Sequence, residues 1–236
     1  MITDNLYPCF HHWYRGGNIW LYSDPHFNDP EMKYLRKDYI GDEEQVKRIN
    51  SKVGKKDTII FLGDIGDLSY ISKIRGYKVL IAGNHDTGLS KYQKATHIVY
   101  EIKINGEKKS FTREELNKQI LGSIIKFEDF TGVEKCNMLF DEIYTGPLLI
   151  ADNILLSHER IDNFPYAVNF HGHDHSQWSE NDDLHINFCA EHIDYYPQPL
   201  MDYIKSGILK NAKDIHRITI DNATKKKFKK ENKNGK

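Results

Sequence analysis

Residues 78–86 read KVLIAGNHD, a short apolar run that breaks off at Gly83-Asn84-His85-Asp86. Five residues of that kind make a buried strand, because a buried helix needs ten or more. The same arrangement recurs on both sides. Residues 18–23 (NIWLYS) end at Asp24-Pro25-His26, and residues 58–62 (TIIFL) end at Gly63-Asp64. Downstream, residues 153–156 (NILL) end at Ser157-His158, and residues 166–170 (YAVNF) end at His171-Gly172-His173-Asp174-His175. Between the first two runs, residues 42–53 carry Val46, Ile49 and Val53 behind the acidic start Asp42-Glu43-Glu44, which predicts an amphipathic helix. Strand, helix and strand in that order define an α/β fold. Polar clusters just past strand C-terminal ends are where such folds place their sites.

The chain of 236 residues, 39% hydrophobic, suits one large domain, here expected over residues 1–224. The segment 88–146 is expected as an insertion within it that could cap the site. Residues 97–104 alternate like a strand and end at the hairpin signal Asn105-Gly106, while residues 112–126 open like a capped helix. Residues 225–236 hold seven lysines against Glu231, so a tail of about +6 leaves about −7 on the remainder of a chain whose net charge is −1. Such a tail cannot bury enough surface to offset its ordering entropy and is expected to be disordered. Its charge keeps nucleic acid open as a partner, though the acidic body and the lack of interleaved aromatics speak against a docking face. No run approaches the roughly 20 apolar residues that span a bilayer. No basic segment leads into an apolar one. Cys9, Cys136 and Cys189 form no CxxC pair. A cytoplasmic protein without membrane partners is the expectation.

The clusters carry metal-ligand chemistry. Asp24 and His26 lie two apart, so on an extended segment both side chains project to one side. Asp64, ending the most apolar run, can share its two oxygens between two cations. Asn84 can offer its amide oxygen, His85 can stand beyond the cations, and Asp86 can hold the His85 imidazole. His173 and His175 alternate like Asp24 and His26, and His158 gains weight from the others. The donors are nitrogen and oxygen without thiolate, a set that suits Mn foremost, with Fe, Zn or Ni as alternatives, and disfavours a structural Cys-type zinc site. Two such ions about 3.5–4 Å apart can activate a water and stabilise an in-line displacement at phosphorus.

In order, Asp-x-His, Gly-Asp, Gly-Asn-His-Asp, Ser-His and Gly-His-x-His resemble the calcineurin-like metallophosphoesterase superfamily, and residues 186–199 (INFCAEHIDYYPQP) look like the late strand of its small bacterial and phage members and the Tyr-x-Pro that follows it. The resemblance implies a four-layer αββα sandwich of two mixed sheets flanked by helices. It also implies that Asp24, His26 and His175 bind one ion, that Asn84, His158 and His173 bind the other, and that Asp64 bridges them. His85 would stabilise the transition state or protonate the leaving oxygen, with Asp86 orienting it and His171 and Asp67 in support.

One departure bears on substrate. Gly66-Asp67-Leu68 stands where the protein phosphatases of that superfamily have Asp-Arg, which removes a phosphate-clamping arginine and argues against a phosphoprotein. The expected activity is hydrolysis of a phosphodiester on a small nucleotide-like or nucleic-acid substrate. A phosphomonoesterase of the same fold, or a non-catalytic metal-binding scaffold, is the alternative.

Overall fold

The computed structural model describes residues 8–36, 38–93, 95–111, 115–116, 127–137, 139–176 and 181–213. The chain divides into two compact units, Met1–Thr87 with Phe140–Lys236, and Gly88–Leu139.

The first unit is mixed α/β. Its five-stranded sheet has the order β12-β1-β2-β3-β7. Strands β1 (Ile19–Tyr22), β2 (Thr58–Phe61), β3 (Tyr77–Ile81) and β7 (Glu142–Tyr144) run parallel, and the two-residue β12 (Gln198–Pro199) lies antiparallel on the edge. The register Ile19↔Thr58↔Tyr77 brings the C-terminal ends of β1, β2 and β3 level. A four-stranded sheet, β11-β10-β9-β8, is built from β8 (Leu148–Ala151), β9 (Ile154–Leu156), β10 (Val168–His171) and β11 (His185–Asn187), with only β8 antiparallel. All four residues of β2 and of β10 are buried, as expected of strands covered on both faces.

One core serves both sheets. Leu21, Ile60 and Val79 from the first sheet and Leu156, Val168 and Phe170 from the second belong to the same buried cluster. The short helix α1 (Met32–Leu35) precedes α2 (Asp42–Lys52), which buries Val46 and Ile49 and leaves its acidic first turn at the positive end of the helix dipole. Helix α4 (Leu200–Ser206) stops at Gly207, whose φ of +84° supplies the left-handed C-cap.

The second unit contains α3 (Ser90–Gln93) and a three-stranded antiparallel sheet, β5-β4-β6, from β4 (Ala95–Ile104), β5 (Glu107–Phe111) and β6 (Thr131–Asn137). The hairpin expected at Asn105-Gly106 joins β4 to β5, with both turn residues at positive φ. The insertion expected over 88–146 corresponds to a unit that ends at Leu139, because residues 142–144 extend the five-stranded sheet instead. The helix expected over 112–126 lies almost wholly outside the described residues, as does the tail 225–236. Among the described residues no helix is long and apolar enough to cross a membrane.

All five runs expected as strands are strands, within two residues at each end. Residues 186–199, expected to hold a late strand and the Tyr-x-Pro after it, contain only the end of that late strand. They end β11, pass through a 3-10 turn at Ala190–Ile193, and reach β12 through Asp194 and Tyr195, both at positive φ.

Candidate metal centre

The seven ligand candidates sit on loops that leave β1, β2, β3, β9 and β10. Their side chains converge into three overlapping donor groups. Asp24, His26 and Asp64 form one, Asp64, His158 and His173 another, and Asp24 and His175 a third with Cys189. Asp64 belongs to two of these groups. His26 Nε2 lies 3.6 Å from Asp64 Oδ2 and 3.7 Å from Asp24 Oδ1, and His175 Nε2 lies 3.4 Å from the same Asp24 oxygen. On the other side His158 Nε2 lies 3.4 Å from Asp64 Oδ2, 2.8 Å from Asn84 Oδ1 and 3.1 Å from His173 Nδ1.

The backbone that achieves this is not the extended segment expected from the alternation of Asp24 with His26 and of His173 with His175. Asp24, His26, Asp64 and His173 have φ of 53°, 44°, 52° and 68°, the left-handed region that side chains other than Gly, Asn and Asp seldom adopt. Sharp turns, not alternation, aim these donors at one point. Three glycines make the approach close enough. A Cβ at Gly63 would collide with His158 Nδ1, one at Gly83 with Asp64 Oδ1, and one at Gly172 with Ser23 Oγ and Asp24 Oδ2.

Asp24 is fully buried, and its two oxygens have different fates. Oδ2 accepts from Ser23 Oγ (2.5 Å), from the His173 backbone N–H (2.9 Å) and from the Cys189 thiol (3.3 Å). Burial and the neighbouring carboxylate push the Cys189 thiol well up, in keeping with its donating to Asp24. Oδ1 has no hydrogen-bond partner, and neither does the buried Nε2 of His26. Two facing polar atoms left unsatisfied in a buried site are costly unless something positively charged lies between the acceptors.

The electrostatics agree. Burial alone would raise Asp24, yet the His175 and His26 imidazoles hold it well below the usual carboxylate range. Asp64 is likewise lowered against its burial, chiefly by His158. Burial works against a charge on His158 and His175, but the facing carboxylates outweigh it and raise both to about 9. Two buried carboxylates thus gather positive charge from whatever is at hand, which fits a site for cations.

Each imidazole is held from behind. His158 Nδ1 lies 2.8 Å from the Leu62 carbonyl, which places the proton on Nδ1 and frees Nε2 toward the site. His175 Nδ1 lies 2.5 Å from Glu191 Oε1, Glu191 pairs with Arg36 at 3.1 Å, and Arg36 Nη2 donates to the Asp24 carbonyl at 2.6 Å. One buried guanidinium therefore braces both Asp24 and His175. Read from sequence, Arg36, Glu191, Ser23 and Cys189 had no role at the site: residues 186–199 enclose Cys189 and Glu191 and residues 18–23 end at Ser23, but their partners lie far off along the chain, and no motif encloses Arg36.

His85 is mostly exposed, with Nε2 4.0 Å from Asp64 Oδ2 and its ring 5.5 Å from that of His26. Asp86 has a task the sequence did not suggest. Its carboxylate accepts from the backbone N–H groups of Asp64, Ile65 and Gly83 and so ties the two loops together. Of the two supporting candidates, Asp67 caps the 3-10 turn Leu68–Lys73 by accepting from Ser69 N, so its task is in the turn. His171 is buried with Nδ1 2.9 Å from the Gly172 carbonyl, and burial pushes it below the usual imidazole range.

No protein-family model and no curated protein matches the chain. Among solved structures, a protein of unknown function from Aquifex aeolicus aligns with a TM-score of 0.49 at 19% identity, over 80% of this chain and 98% of that one. A likeness of that degree says nothing of what this chain binds or does.

Proposed function

We propose that this chain is a phosphoesterase working with two divalent cations on a calcineurin-like αββα sandwich, with a phosphodiester of nucleotide-like or nucleic-acid type as substrate. Two mixed sheets sharing one core are what that sandwich requires. The observation that carries the reading is the pair of buried, unpartnered atoms, Asp24 Oδ1 and His26 Nε2, beside an Asp64 carboxylate common to two donor groups.

The residues present fit two cations. Asp24, His26 and His175 would hold one, Asn84, His158 and His173 the other, with Asp64 between them. When bound, such ions supply Lewis acidity toward a phosphoryl oxygen and lower the pKa of a water, and hard to borderline N/O donors suit Mn, with Fe, Zn or Ni as alternatives. The chain does the rest. Arg36 and Glu191 fix the His175 ring, the Leu62 carbonyl fixes the His158 tautomer, and Asp86 locks the loops that carry Asp64 and Asn84. His85, free to reach solvent, can donate a proton to a leaving oxygen or stabilise charge on the phosphoryl group.

The test is cation content measured together with turnover. Protein loaded with Mn²⁺ should hold two ions per chain and hydrolyse bis(nitrophenyl) phosphate faster than nitrophenyl phosphate, and a chelator should abolish both. One ion or none under saturating metal, or no turnover of either ester, sinks the proposal. Faster turnover of the monoester would select the phosphomonoesterase.

A further inference from the structure

A cleft of about 330 Å³ opens directly beside the Asn84 and His158 side of the centre, and both of those residues form part of its wall. Elsewhere Ile81, Ala82, Pro147 and Ile161 give it apolar wall, and Thr145 and Ser157 add two hydroxyls. Charge enters only at Glu159 and Arg160. The Arg160 guanidinium is already engaged by Asp162 and Asp182, each at 2.9 Å. Away from the Asn84 and His158 side, three carboxylates, Glu159, Asp162 and Asp182, thus stand around one guanidinium, which disfavours a second phosphate at that end. The volume lies at the lower end of the roughly 300–1,000 Å³ of small-molecule sites, enough for one ring and too little for an oligomer.

We infer that this cleft is a substrate subsite for one uncharged, mainly apolar ester substituent of ring size, joined to a phosphorus held at the neighbouring centre. The inference rests on the phosphoesterase reading and narrows it. The substrate class is a phosphoester whose adjacent alcohol is neutral and no larger than one ring, such as a phenol or a short alkyl alcohol, and not one flanked there by further phosphates. Gly146 offers a way in. A Cβ added to it meets no atom within 4 Å, and its φ is not in the left-handed region, so a larger side chain can be introduced at the cleft wall without backbone strain.

The experiment is calorimetric binding of three phosphonates to the Mn²⁺-loaded full chain: methylphosphonate, phenylphosphonate and 4-carboxyphenylphosphonate. Phenylphosphonate should bind about tenfold or more tighter than methylphosphonate, the scale for taking part of a ring out of water. The carboxylate should erase that gain. Gly146→Phe should remove the phenyl preference and leave methylphosphonate affinity unchanged, which also reports that the centre is intact. Ile161→Asp, a second variant, should weaken phenylphosphonate alone. Equal binding of methyl- and phenylphosphonate to wild type, or a phenyl preference that survives both substitutions, overturns the subsite while leaving the phosphoesterase standing. Failure of methylphosphonate to bind the loaded protein removes both.

Discussion

Two carboxylates in the first unit, the fully buried Asp24 and the partly buried Glu142, stand in opposite surroundings. Glu142 lies where β3 and β7 begin, and its oxygens accept from Trp13 Nε1 (2.9 Å), the Tyr77 hydroxyl (2.8 Å) and the Tyr144 hydroxyl (2.5 Å), with His12 Nε2 also at 2.5 Å. Every lone pair that matters is used, and despite its burial those donors lower its pKa. Asp24 lies where β1 ends, and one of its oxygens is fully engaged while the other makes no hydrogen bond and has the His175 and His26 imidazoles nearby, at 3.4 and 3.7 Å. A closed polar network holds a fold together; an unfinished one asks for a ligand.

Substitutions can break this contrast. The largest effect is expected of Asp64→Asn, which removes the carboxylate that the His26 group shares with the His158–His173 group. Turnover should fall to the level of buffer, and the rise in melting temperature that Mn²⁺ gives the wild type by binding the folded state should vanish. Retention of one tightly held ion would contradict the shared role. Next comes His85→Ala, expected to cost roughly 10²- to 10⁴-fold in kcat with cation content unchanged, and less with a nitrophenolate leaving group that departs without a proton. Loss of ions would make His85 a ligand.

Glu191→Gln probes the brace behind His175. It should weaken one cation by about 10- to 100-fold and leave the other near normal, as read by competition with a chelator. Equal weakening of both would mean that Glu191 supports the fold at large.

Glu142→Gln should do the reverse of these. It should leave cation binding alone and lower stability by about 1–3 kcal/mol at neutral pH, equally with and without Mn²⁺. Because the Glu142 pKa is depressed in the folded state, its contribution is complete above the unfolded carboxylate value and is lost as pH falls through the folded one. Wild type and variant should therefore converge in denaturant midpoint in acid. A gap independent of pH, or any effect on ion content, would erase the distinction between the two carboxylates.

How legible all this was depends on the kind of interaction. The strands and α2 could be read because a residue's burial follows from its own apolar character and that of near neighbours, so β2 and β10 announce themselves in four or five letters. The donors could be read because Asp, His and Asn recur just past those strands. What could not be read depends on residues far apart in sequence. Arg36 and Glu191 meet across 155 positions, and nothing in the local stretch around either marks it as buried. Nor does alternation foretell a left-handed φ. The spacing of Asp24 and His26 suggested a pleat, and the chain makes a turn there.

That turn has an evolutionary side. Outside the centre most left-handed positions carry Gly or Asn, such as Gly41, Gly207, Asn28 and Asn105, where the conformation costs little. Within it His26 and His173 hold a positive φ at roughly 1 kcal/mol or more apiece, and Asp24 and Asp64 hold one at a smaller cost. Replacing any of them by glycine would relieve that strain at the moment it removed a donor. For this chain, drift toward an easier backbone and drift toward chemical silence run along the same path.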